Sequence, residues 1–116
     1  MIDFHYETVG KDKDIVAVVL SGRLTEENCN YLFECVEGQI LEGRKKLILD
    51  CGHLSYISSM GLGTLVRVSA RMKKIGGEVK LAALQSVVVQ IMSVMGLNRV
   101  FQIYPSVVDA ISALDS

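Results

Sequence analysis

A single proline interrupts the 116 residues, and charged residues make up only 22% of them against 50% hydrophobic. Disordered and linker-rich chains have the opposite balance, so a compact globular protein is expected. A basic surplus is also missing. The net charge is −1, whereas neutralising a phosphate backbone needs a clear excess of Lys and Arg, which excludes nucleic acid as a partner. The three cysteines, Cys29, Cys35 and Cys51, are odd in number and lack C-x-x-C spacing. They provide neither a disulfide framework nor a zinc site, and no metal is expected. Cys29 falls on the apolar face of a predicted helix, where it reads as a small buried hydrophobe. No stretch approaches the ~20 apolar residues of a membrane span. Met1-Ile2-Asp3-Phe4-His5 shows no basic region followed by an apolar run. The expectation is a cytoplasmic protein without direct membrane contact.

Catalytic residues are equally scarce. Of the two histidines, His5 lies on a predicted edge strand and His53 in a polar segment. Ser59, His53 and Asp50 can be written as a triad, but three residues so close in sequence seldom reach the geometry a nucleophile needs. No G-x-S-x-G elbow is present. Gly61-Leu62-Gly63 begins like a dinucleotide fingerprint, yet Val66 stands in place of the third glycine, and no Walker A sequence with its lysine exists. The chain is read as a non-enzyme without a cofactor, with nucleotide binding at most a weak secondary property.

What is present is organised around Lys46–Val68. Leu47-Ile48-Leu49 between Lys46 and Asp50 has the pattern of a strand buried on both faces. A polar loop with Gly52, His53 and Ser55 is expected after Asp50. Ser58 and Ser59 then precede a segment in which Leu62, Leu65, Val66 and Met72 recur at helical spacing. Two hydroxyls therefore stand where a helix begins, at backbone N–H groups that lack internal partners and at the positive end of the dipole. A serine there either caps the helix or carries a phosphate that the same groups help to hold.

At this length the chain makes one domain, 1–116, with a single core. Residues 2–9 alternate in the period of a half-buried edge strand, Gly10–Asp14 is a polar turn, and Ile15–Leu20 is a more continuous valine-rich strand. Gly22 is expected to break that strand. Thr25 with Glu26 and Glu27 reads as a helix start, and Cys29, Leu32, Phe33, Val36 and Ile40 form one face of a helix to about Glu42. The second helix runs to about Ile75 and closes at Gly76-Gly77. Arg67, Arg71 and Lys74 make a basic stripe along it that is either solvated or faces an acidic group. Glu78–Ala83 is a strand. The third helix, about Gln85–Met95, carries Val87, Val88, Val89, Ile91, Met92, Val94 and Met95, too many for one face. It is either packed on more than one side or shows apolar surface to a partner. Val100–Tyr104 is a last strand, and Pro105 opens a final helix.

A hairpin followed by alternating helices and strands implies an α/β fold. Its sheet is mixed, with the N-terminal hairpin followed by parallel strands and about four helices. Loops leaving the C-terminal ends of the parallel strands gather at one edge, where ligands bind. Residues 52–60, 83–86 and 22–25 are expected there, with Ser59 near the middle.

Leu47-Ile48-Leu49-Asp50 with Tyr56-Ile57-Ser58-Ser59-Met60-Gly61-Leu62-Gly63 resembles the signature of the STAS domain of bacterial anti-sigma factor antagonists. The resemblance extends to Leu20-Ser21-Gly22-Arg23-Leu24, Met95-Gly96-Leu97 and Val100–Tyr104. It puts Ser59 at the family's phosphorylated serine, with Ser58 the lesser candidate. Two departures stand out: Ser58 where the family commonly has Asp, and Met60 where it has a small residue. They bear on how the hydroxyl is presented and on which partner fits. The resemblance implies a binding module that grips an anti-sigma factor with serine kinase activity, frees the sigma factor, loses its grip on phosphorylation and is reset by a phosphatase. The partner-binding surface expected at this edge comprises Gly22, Leu24, Ser55, Tyr56, Ser58, Ser59, Met60, Gly61, Leu62, Gly63, Arg67 and Ser86. A monomer or weak homodimer is expected. The alternative is a structural STAS subunit of a stress-signalling scaffold or of a lipid-transporting ABC complex, using the third helix as a permanent interface.

Overall fold

The computed structural model describes residues 2–115, with side chains from Phe4 onward. The side chains of residues 2 and 3, at the start of the expected edge strand, therefore lie outside the described residues. The elements are β1 (Ile2–Val9), β2 (Ile15–Leu24), α1 (Cys29–Leu41), β3 (Lys46–Ile57), α2 (Ser59–Lys74), β4 (Glu78–Ala82), α3 (Ser86–Val94), β5 (Gln102–Tyr104) and α4 (Val107–Asp115). The five strands form one sheet in the order β1-β2-β3-β4-β5. β1 is antiparallel to β2, and every later pairing is parallel. This is the mixed α/β sheet expected from a hairpin followed by helical crossovers.

Alternation along the central strands divides the core in two. Val16, Val18, Leu20, Leu47, Leu49 and Leu81 point to the face covered by α1, α2 and α3. Ile15, Ala17, Ile48 and Ala82 point to the other face, where Ala110 and Leu114 of α4 cover them. Three helices thus lie on one side and one on the other. Lys46 and Asp14 pair at 3.0 Å beside the hairpin turn.

β2 and β3 are longer than the sequence pattern suggests. Gly22 does not break β2, and the segment after Asp50 is strand rather than loop. The two continue together as Ser21↔His53, Gly22↔Leu54, Arg23↔Tyr56 and Leu24↔Ile57, with register shifts between Val19 and Ser21 and between Gly22 and Arg23. Those irregularities let Cys51, Leu54 and Ile57 all turn inward at a spacing of three, while Gly52, His53 and Ser55 lie outward or at the rim. Bulges of this kind re-aim side chains near the end of a sheet. Thr25 is not the cap of α1 either. Asn28 occupies that place, its side chain tied to the Thr25 amide at 2.9 Å and to the Arg23 carbonyl at 2.8 Å. Pro105 precedes the start of α4 rather than opening it. Ser106 does that, accepting the Asp109 amide at 3.2 Å.

α3 packs on one side only. Val88 and Met92 are buried, whereas Val94 is 85% and Met95 49% exposed. Of the two readings of this helix, the one with apolar surface turned outward describes it.

Candidate functional site

The extended ends of β2 and β3 carry the chain to the start of α2, and one carbonyl fixes how it enters. Leu24 O accepts the Ser58 amide at 2.9 Å. A Cβ on Gly61 would lie 2.8 Å from that same oxygen and 2.9 Å from Ile57 Cγ1, closer than side-chain carbons come. The first turn of α2 therefore presses directly onto the end of β2, and only glycine fits at 61.

The two hydroxyls take different roles. Ser58 is extended, at φ −86° and ψ 171°, and its Oγ accepts the Gly61 amide at 3.1 Å. That is an N-cap. Ser59 is the first helical residue and is exposed, and its hydroxyl makes no hydrogen bond among the described residues. Beside it Met60 is 59% exposed, while its carbonyl accepts the Thr64 hydroxyl at 3.1 Å.

Ser59, Met60, Gly63, Thr64 and Arg67 of α2, with Cys29 and Asn30 of α1, line a groove of about 360 Å³. A Cβ on Gly63 would meet nothing within 4 Å, so the groove is open along the middle of this wall. At its far end the Arg67 guanidinium lies 4.3 Å from the centre of the Phe33 ring. On the strand side Arg23 stacks over Tyr56 at 4.4 Å, and Ser55 donates to the Gly22 carbonyl at 3.0 Å. Across the edge, Gln85 donates to the Gly52 carbonyl at 2.9 Å and ties the start of α3 to β3.

Most of the expected surface is gathered here: Gly22, Ser55, Tyr56, Ser58, Ser59, Met60, Gly63 and Arg67 all lie at or beside this end of the sheet. Three expected contact residues do not reach the surface. Leu24 and Leu62 are core side chains and Gly61 is buried, because the first turn of α2 is clamped onto β2. They shape the site from beneath. Ser86 is exposed at the start of α3 but does not line the groove. The basic stripe is also divided. Arg71 is held by Glu37 through two bonds of 2.6 and 3.3 Å, which raises its pKa and joins α2 to α1. Only Arg67 of the two arginines turns to the groove. No hydrogen bond joins Ser59, His53 and Asp50; Asp50 accepts the Gly52 amide at 3.0 Å instead. Cys29, Asn30 and Thr64 were not foreseen as groove residues. Arg23 lies in the 22–25 segment expected at this edge but was not among the expected contact residues, because the sequence pattern ended β2 before it.

A single α/β domain with an exposed serine at the first turn of the helix after its central strand is the arrangement of a STAS domain. The family model for the STAS domain matches residues 6–110, and the chain belongs to that family. A protein of Bordetella bronchiseptica named as the anti-sigma factor antagonist BtrV is 27% identical over 96 residues, 83% of each chain. The crystal structure of a Thermotoga maritima protein named as an anti-sigma factor antagonist superposes with a TM-score of 0.88 at 24% identity, covering 97% of this chain and 95% of that one. The Bacillus cell fate determinant SpoIIAA in its phosphorylated form superposes with a TM-score of 0.73 at 18% identity, covering 97% and 99%. Among the described residues no helix is long and apolar enough to cross a membrane.

Proposed function

We propose that this protein is an anti-sigma factor antagonist whose grip on its partner is controlled by phosphate on Ser59. The observation that carries the reading is the division of labour between neighbouring serines. Ser58 is occupied as the cap of α2, and Ser59 stands exposed beside it with no structural bond to give up. The departure at position 58 fits the same reading. Asp and Ser are comparable N-caps, so Ser58 supplies the acceptor oxygen that the family's aspartate would offer.

The partner is an anti-sigma factor with serine kinase activity, bound through the surface around Ser59, Met60 and Tyr56. Binding withdraws it from the sigma factor. Transfer of the γ-phosphoryl group of the kinase's ATP to Ser59 Oγ, with ADP and the hydroxyl proton released, adds a charge of about −1.5 to −2 within that surface. The complex must then desolvate the phosphate or separate. A shift of roughly 3 kcal/mol is a hundredfold change in affinity, well within what one misplaced charge supplies. A phosphatase restores the unmodified hydroxyl. Titration calorimetry against the anti-sigma-type serine kinases of the parent genome tests the reading. One of them is expected to bind the unmodified protein, and binding by none would overturn it.

The exposed apolar face of α3, with Val94 and Met95 outward, favours one second reading: a structural subunit that holds a standing interface there. Solution mass separates the two, since a reversible antagonist is a monomer or weak dimer when purified alone and a scaffold subunit assembles.

A further inference from the structure

We infer that the groove between α1 and α2 receives an acidic side chain of the partner, with Arg67 as the cation that holds it and phosphate on Ser59 as its competitor. The inference rests on the function proposed above and adds the chemistry of recognition. Arg67 is the only charged residue among those lining the groove, and it forms no ion pair among the described residues. Its neighbour one turn on, Arg71, is already paired with Glu37, so the groove has one uncommitted guanidinium.

That guanidinium is positioned. Its central carbon, Cζ, lies over the Phe33 ring, 4.3 Å from the ring centre. A cation held over an aromatic ring in this way keeps N–H groups directed away from the ring, and a guanidinium can grip a carboxylate with two of them. Phe33 is thus a positioning residue. The path to Arg67 is clear because Gly63 projects no side chain into open space. Asn30, on the opposite wall, adds an amide able to donate to the same acid.

Ser59 and Arg67 lie on the same wall, with Gly63 between them. An acid seated over Gly63 is therefore flanked by the Ser59 hydroxyl and the Arg67 guanidinium. With the hydroxyl unmodified, the acid meets a neutral neighbour and a cation. Phosphorylated, the same neighbour is a dianion that repels the acid and competes for the cation.

The test measures binding of the cognate anti-sigma factor kinase to purified full-length variants. Gly63→Gln fills the groove without a clash at its Cβ, and Arg67→Glu reverses its charge. Each is expected to weaken binding by about tenfold or more, with unchanged circular dichroism and melting no lower than that of the unaltered protein for Gly63→Gln. Arg67→Lys, which keeps the charge but loses the planar fork, is expected to bind less tightly than the unaltered protein and more tightly than Arg67→Glu, and Arg71→Gln to change the affinity by less than about twofold. Kinase variants selected to rebind Arg67→Glu are expected to carry an Asp or Glu changed to Lys or Arg. Gly63→Gln and Arg67→Glu proteins that bind as well as the unaltered one would overturn the inference and leave the proposed function standing. An unaltered protein that binds no kinase would overturn both.

Discussion

Ser58 Oγ lies 3.1 Å from the amide of Gly61 and closes the first turn of α2, which leaves the adjacent Ser59 hydroxyl free of any structural duty. Two residues of the same type, side by side, should therefore respond oppositely to the same substitution. Ser58→Ala removes a cap and is expected to cost about 1 kcal/mol, read as a lower midpoint in denaturant at unchanged slope. Ser59→Ala is expected to change stability by less than about 0.5 kcal/mol while abolishing phosphorylation.

The glycines of the same helix make a second pair. At Gly61 an added Cβ would press on the Leu24 carbonyl at 2.8 Å, a backbone atom that cannot rotate away. Gly61→Ala is expected to destabilise by about 1–3 kcal/mol. At Gly63 the space is open, and Gly63→Ala is expected to stabilise by about 0.5–1 kcal/mol through helix propensity. Thermal unfolding of the two variants reads the contrast directly.

These glycines also show how far the sequence could be read. Helical spacing in α1 and α2 located their core faces, because each helix buries one side, while the alternation over residues 2–9 marked an edge strand and the continuous run Ile15–Leu20 fits a strand covered on both faces. The paired ends of β2 and β3 were hidden. Their bulges replace a period of two with inward residues Cys51, Leu54 and Ile57 three apart, and polar Gly52, His53 and Ser55 then resemble a loop. With that pairing concealed, Leu24 and Leu62 passed for surface residues, and Arg23 was read only as part of a loop at the edge. The place of Ser59 at the start of a helix was legible through the motif. Which serine caps and which stands free depends on a single hydrogen bond that no spacing encodes. The groove beside it depends on α1 and α2 meeting, a relation between distant segments.

Cys51 gives a pH prediction. Burial within the sheet pushes its thiol from the ordinary 9.0 up to about 12, and the neighbouring Asp50 carboxylate adds to the shift. The folded state holds this proton more tightly than the unfolded chain does. Its contribution to stability is therefore complete below about pH 9 and declines as pH rises toward 12. Denaturant midpoints measured from pH 8 to 11 are expected to fall more steeply than those of Cys51→Ala, compared as slopes against pH. A thiol reagent at pH 8 is expected to reach the half-buried Cys35 first and Cys51 only on unfolding.

Stoichiometric phosphorylation by the cognate kinase, with the modified residue located by mass spectrometry and affinity measured before and after, tests the central claim most directly. Phosphate on Ser59 alone is expected, with Ser58→Ala still modified, Ser59→Ala unmodified, and the phosphorylated protein binding its kinase about a hundredfold more weakly. Phosphate on Ser58, or a Ser59 phosphoprotein that binds as tightly as before, would contradict it.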